Sequence, residues 1–363
     1  MQRHARRFLL AFALAALPIL ACVAGFNWLA DPTWAFEPPV TLSSRYILRD
    51  ERQNRVNRLF ARNETFDGVL LGSSRMTYFD VGTLPGRVYN FSASRMFPYE
   101  YVGHLATFVA AKGRPGRLYL AIDFFGSSTP DTQIDAARLR TDAQSWRTRA
   151  SLLLSLDVLF NGLENIVLAP GAAHTWTYDR MGRRHPPAAT PQALAQQFEE
   201  GLAHARRSRF YGSETYRYNA KLGEELAAVR AGFPDAEIVV FTSPISIELF
   251  ALLVTEGRFD DYARWLTELV TVFGNCVDFM GDTGFARRRE NWIDTNHFWP
   301  SLSRHLATAL AGGSSAAFPD FGQRVDAANL AQHLARQRRF AERLPAEGAA
   351  AAPLAPAPRK GGP

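Results

Sequence analysis

Two short stretches carry residue types that do acyl chemistry when a fold brings them together. The first is Gly68-Val69-Leu70-Leu71-Gly72-Ser73-Ser74-Arg75, an apolar run that ends in a glycine, two hydroxyls and a cation. A run apolar at every position reads as a strand buried on both faces of a parallel sheet. Gly72 permits a sharp turn just past it. Ligands of open α/β sheets bind at the carboxyl ends of strands, where that turn places Ser73 and Ser74. A serine there is a nucleophile when a base reaches it. The second stretch is Trp292-Ile293-Asp294-Thr295-Asn296-His297-Phe298. An aspartate three residues before a histidine can hold the imidazole tautomer and stabilise the imidazolium. Each stretch alone also has an ordinary explanation. Ser74 can stand near the N-cap of a strand-to-helix turn, and Asp and His often cap helices or occupy surface loops.

Together, the Gly72-x-Ser74 turn and the late Asp294-x-x-His297 resemble the SGNH/GDSL hydrolase superfamily, over roughly residues 65–312. The form Gly-Ser-Ser-Arg looks like the membrane-anchored branch found with polysaccharide and cell-envelope acylation systems. The resemblance implies a flavodoxin-like three-layer α/β sandwich with a mostly parallel sheet. It makes Ser74 the nucleophile, with Ser73 as fallback, His297 the base and Asp294 its orienting partner. The superfamily completes its oxyanion hole with a glycine N–H after the second strand and an asparagine after the third. Here those places carry Ser92, Ser94 and Arg95, and Asp123. An ionised aspartate is an acceptor only and repels an oxyanion. The oxyanion and substrate-binding candidates are therefore Gly72, Ser73, Arg75, Asn90, Ser94 and Asp123, with Arg75 and Arg95 available to offset charge or to serve as surface groups. Backbone N–H groups around Ser74 supply one or two donors.

Two functions follow. One is an extracytoplasmic acyl-ester enzyme, an O-acyltransferase or esterase, acting on an envelope glycan or polymer. The other is a catalytically weak binding or assembly protein that keeps the fold, which the oxyanion-hole departures favour. The resemblance also allows a membrane-bound O-acyltransferase as partner. A nucleotide-binding α/β protein is disfavoured, because the chain has no Gly-x-Gly-x-x-Gly and no phosphate loop. No cofactor is expected, and no Cys/His spacing reads as a metal site.

The elements that must position these residues can be read in order. Arg3, Arg6 and Arg7 precede an uncharged run from Phe8 to Ala30, long enough to span a bilayer. Basic residues before the run put the N-terminus inside and the rest outside, as in a single-pass protein of a bacterial-type inner membrane with a periplasmic domain. An uncleaved anchor is preferred over a cleaved signal peptide or a lipoprotein modified at Cys22. The net charge of +6 owes much to the two ends and reads as topology and tail chemistry; no nucleic-acid signature appears. Residues 31–65 read as a Pro-interrupted stalk, then a helix over 50–62 whose arginines are expected on a solvated face.

The α/β domain is expected over 66–312. Its strands are Val69–Leu71, Val88–Phe91, Leu118–Phe124, Ile238–Thr242 and a short one at Val277–Met280. Helices are expected near 99–111, 150–165, 191–206, 216–230, 259–272 and 300–311. Residues 126–211 read as an insertion that covers or borders the strand ends. Its stretch from His174 to Tyr178 is read as packing, with sugar stacking as the alternative. His104, His174, His185 and His305 are poorer bases by position. Residues 313–363 read as a tail with a basic helix near 327–344 and a disordered Ala/Pro/Gly-rich end.

Overall fold

A computed structural model describes residues 2–168 and 175–348; His174 and the tail beyond Gly348 lie outside the described residues. The chain opens with α1 (Gln2–Ala30), whose first two-thirds projects apolar side chains in all directions. The stretch His4–Ala30 is long and apolar enough to cross a membrane. Asp50 then accepts from the Gln53 N–H (2.9 Å) and caps α2 (Glu51–Ala61). Next come β1 (Gly68–Leu71), α3 (Ser74–Thr77), β2 (Val88–Asn90), α4 (Tyr101–Lys112) and β3 (Arg117–Ile122). The intervening segment holds α5 (Ala136–Gln144), α6 (Trp146–Leu153), α7 (Leu156–Val167), the hairpin strands β4 (Thr177–Tyr178) and β5 (Arg184–His185), and α8 (Pro191–Arg207). The sheet resumes through α9 (Leu222–Gly232), β6 (Glu237–Thr242), α10 (Ile247–Thr255), α11 (Phe259–Phe273) and β7 (Asn275–Asp278). It closes with α12 (Gly284–Arg287), α13 (Ser303–Leu310), β8 (Gln323–Asp326) and α14 (Leu330–Gly348).

The six-stranded sheet runs β2-β1-β3-β6-β7-β8. Every pair is parallel except β7–β8. Side chains alternate between faces along each strand. Val69, Leu71, Leu118, Leu120 and Ile122 enter one apolar cluster, and Leu70, Tyr119 and Ala121 enter another. Burial on both faces is why these strands read as unbroken apolar runs.

Several boundaries differ from the sequence expectation. The helix expected over 150–165 breaks after Leu153 into α6 and α7, which meet at 63°. Ser155 makes the break by capping α7 at the Val158 N–H. The helix expected from Tyr216 begins only at Leu222, because Tyr218 bridges Ser128 in extended form. Helices α5 and α10 were not expected. Residues 313–348 are not only tail: β8 pairs with β7, and Phe340 of α14 stacks near Phe250. The α2 arginines expected in solvent are a further correction. Arg55 and Arg58 are almost fully buried under the β4–β5 hairpin. Arg55 donates to the carbonyls of Asn90 (2.6 Å) and Gly182 (2.9 Å), and Arg58 pairs with Glu64. Cys22 is exposed, Cys276 is buried, and both are free.

The C-terminal helix is fixed by a buried polar cluster. Asp278 accepts from Tyr262 (2.6 Å) and Thr242 (2.7 Å) and faces His333 Nε2 at 2.8 Å. Burial alone would raise the Asp278 carboxyl, but the His333 bond and charge outweigh it and hold its pKa below the ordinary value. A depressed carboxylate stabilises the fold above its unfolded pKa, and that contribution is lost as pH falls through the folded value. His333→Ala therefore lowers the melting temperature and moves the acid-unfolding midpoint, followed by circular dichroism, to higher pH. An unchanged midpoint would show that His333 is not what depresses Asp278.

Candidate active site

Gly72 ends β1 and owes its identity to packing. A Cβ there would stand 2.8 Å from Met76 Cγ and 2.9 Å from Ala121 Cβ. The turn is thus pressed against β3, a different demand from the φ freedom expected of it. Ser73 caps α3, its Oγ accepting from the Arg75 N–H at 3.3 Å. Ser74 is the first residue of α3, and among the described residues its N–H finds no acceptor. It projects from the carboxyl end of β1, between β2 and β3, where the direction of chain crossover reverses.

The opposing loop is locked by its own bonds. The Ile293 N–H donates to the His297 carbonyl (2.8 Å), and Trp299 donates back to Asn291 (3.1 Å). Trp292, Ile293 and Phe298 are buried beneath it. Gly201 of α8 lets that helix lie close on Thr295, since a Cβ would meet its side chain at 3.1 Å. His297 Nε2 lies 2.9 Å from Ser74 Oγ, and His297 Nδ1 lies 2.7 Å from Asp294 Oδ2. Asp294 Oδ1 accepts from the N–H groups of Asn296 and His297, both at 2.9 Å. Burial alone would raise the Asp294 carboxyl; the facing His297 and the two amides outweigh it and leave its pKa below the ordinary value. It is ionised at neutral pH. Tyr78 packs its ring 5.0 Å from the imidazole.

These groups open on a cleft of about 350 Å³ lined by Ser73, Ser74, Arg75, Arg95 and the Asp294–His297 loop. Its other walls are Phe125, Phe210, Tyr211 and Leu249, with Gln197 and His204 from α8. The α8 residues were not legible beforehand. The helix belongs to the insertion expected to cover or border the strand ends, but nothing local marks which of its residues face the cleft.

The remaining candidates take other roles. Arg75 is buried, pairs with Asp123, and donates to Tyr211 OH at 2.9 Å. Burial opposes its charge, but Asp123 and Tyr211 reverse the balance and raise its pKa. Asp123 is thus a neutralised partner of Arg75. Arg75 Nε–H is buried without an acceptor. Asn90 does not turn into the cleft: its Nδ2 donates to the Met76 carbonyl (2.8 Å) and its Oδ1 accepts from Ser92 (3.1 Å). The amide of Ala93 is taken by Gly72 (3.1 Å) and that of Ser94 by Glu51 (2.6 Å). Ser94 lines a separate depression with Trp176, Tyr178 and Arg184. There Trp176 is packed against the Arg184 guanidinium, 4.7 Å from its ring centroid. Arg95 adopts φ 55°, pairs with Asp131 and covers the Phe210 ring. Of the other histidines, His104 is buried in α4, His185 faces Asp179, and His305 faces Ser315.

The comparisons with known proteins match this chain to no family model and to no curated protein. Among the described residues no cluster of histidine, cysteine and carboxylate side chains forms a metal site.

Removing Arg75 strands a buried carboxylate. Arg75→Met is expected to cost about 3–5 kcal/mol in denaturant unfolding, the usual penalty for halving a buried pair. Arg75→Met with Asp123→Asn should recover much of that loss. Equal instability in both variants would show that the pair is not the source.

Proposed function

We propose that the protein is a serine acyl-ester enzyme of the SGNH/GDSL type, an O-acyltransferase or esterase of an extracytoplasmic envelope glycan or polymer. The observation that carries this reading is the unbroken hydrogen-bond chain from Ser74 Oγ through His297 to Asp294 at the mouth of a cleft. The β2-β1-β3 strand order supports a flavodoxin-like sandwich, whose ligands bind where this site lies. In this reading α1 crosses the inner membrane with its N-terminus in the cytoplasm and the domain outside.

In the proposed reaction Ser74 Oγ attacks the acyl carbonyl carbon, and its proton passes to His297 Nε2. Asp294, already ionised, stabilises the imidazolium. The tetrahedral oxyanion is held by the Ser74 N–H, with the positive charge of Arg75 beside it. Collapse breaks the ester C–O bond, and the departing alcohol takes the proton from His297. A sugar hydroxyl or water then gives its proton to His297 and attacks the acyl-Ser74 ester, and the C–O bond to Ser74 breaks as Ser74 Oγ takes that proton back from His297. General acid–base assistance of this kind contributes about 10²–10⁴-fold.

The second reading, a binding protein on the same fold, draws on the amides after β2, which are occupied by Asn90, Gly72 and Glu51. A fluorophosphonate probe separates the two. The enzyme reading predicts one labelled serine, Ser74, and no labelling in Ser74→Ala. It also predicts that Ser74→Ala and His297→Ala each lose roughly 10⁶-fold in turnover, with the double variant little worse. Asp294→Asn should lose about 10⁴-fold. Full turnover in Ser74→Ala, or no labelling of folded protein, would favour the binding protein.

A further inference from the structure

Helix α7 is built inside out. Its buried positions are Val158, Asn161, Gly162 and Asn165, so both asparagines point inward. They are used there: Asn161 donates to the Ile47 carbonyl (3.1 Å), and Asn165 Oδ1 accepts from the Ile47 N–H (2.8 Å). Its outer face carries Leu156, Phe160, Leu163 and Val167, all exposed, Phe160 at 64% and Val167 at 70%. Steps of four, three and four residues keep these side chains on one narrow stripe. Leu154 and Leu168, just outside the two ends of α7, are also exposed, and Trp146 begins α6 at 73% exposure beside Arg147. A contiguous apolar surface of this kind marks an interaction site.

The place of α7 identifies what covers it. Asn27 of α1 donates to the carbonyls of Leu152 (3.2 Å), Leu153 (2.9 Å) and Ser155 (2.9 Å), and so binds α1 to the α6–α7 corner. Gly162 gives α7 a close seat on Phe26 and Ala30. About 20 helical residues cross the hydrocarbon, and counted from Phe8 that span ends near Asn27. The outer α7 stripe therefore lies at the depth where the hydrocarbon meets the headgroups. Exposed Trp28 and Trp146 flank it, as tryptophans do at that boundary.

We propose that α6 and α7 form a second, monotopic membrane contact, with the α7 stripe buried in the outer-leaflet acyl chains beside α1. This rests on the reading of α1 as a span. Lipid is favoured over a second copy because α7 is seated on Phe26 and Ala30, at the end of the span, where the bilayer surface would lie. Seated so, the domain is held on the bilayer at two points and cannot swing about a single tether. Its cleft then keeps a fixed height above the membrane surface.

The test uses the full chain in vesicles of phosphatidylethanolamine and phosphatidylglycerol. An environment-sensitive fluorophore is placed on native Cys22, on Phe160→Cys in a Cys22→Ala background, or on Ala231→Cys of exposed α9 in the same background. Cys276 is buried and stays unlabelled. The proposal expects blue-shifted emission from the Phe160→Cys label and several-fold stronger quenching by acyl-chain nitroxide lipids than at Ala231→Cys. Insertion at Cys22 with an aqueous label at Phe160→Cys would overturn the α7 contact and leave the span standing. Aqueous labels at both would overturn both. Disulfide-linked dimers of unlabelled Phe160→Cys, with no lipid quenching, would overturn it in favour of a second copy.

Discussion

The hydrogen bond between His297 and Ser74 joins residues 223 positions apart, and the architecture around it exists to make that approach. Neither side chain supplies the geometry itself. Ser74 is placed by a strand with no polar side and by a turn too tight for any side chain at Gly72. His297 is placed by a loop whose amides and carbonyls are bonded to one another over a floor of Trp292 and Phe298. Asp294 has two tasks in that loop. One oxygen ties the turn together, and the other faces the imidazole. The same carboxylate thus fixes the backbone and orients the proposed base.

Around this site the fold relies on buried charge to an unusual degree. Arg75 crosses from the turn after β1 to Asp123 at the end of β3, joining these neighbouring strands at their carboxyl ends. Arg55 and Arg58 of α2 reach carbonyls of the β4–β5 hairpin and hold it against the domain. Asp278 gathers three side chains and pins α14 to the sheet. Each such group is tolerated because its desolvation is offset by directed hydrogen bonds. Removing one partner exposes the penalty that the other was holding.

Much of the sheet and the key site residues were legible in the sequence, for physical reasons. Strands buried on both faces leave little room for polar residues, so β1 and β3 stand out as apolar runs, as does β6, whose last three residues are buried. Ser74, Asp294 and His297 stand out only when their two motifs are taken together and matched to a known pattern, since each motif alone reads as an ordinary turn or cap. What was hidden depends on distant partners. Charge on α2 reads as solvated until the hairpin that covers it is known. β8 is an edge strand of Gln323, Arg324, Val325 and Asp326, with only Val325 fully buried, and it reads as tail. Gln197 and His204 reach the cleft because α8 folds across it, which no local pattern records. The broken helix at Ser155 was hidden because leucines stand on both sides of the bend and a single serine is common inside helical stretches.

In the proposed reaction Ser74 carries the acyl group between donor and acceptor. The most direct measurement is acid-quenched peptide mass spectrometry of the full-length protein caught during turnover of an activated acetyl ester. One acetyl mass is expected on the peptide containing Ser74, formed in a burst and absent from His297→Ala on the same timescale. Steady turnover with no acyl adduct at Ser74, or with the adduct on another residue, would contradict it.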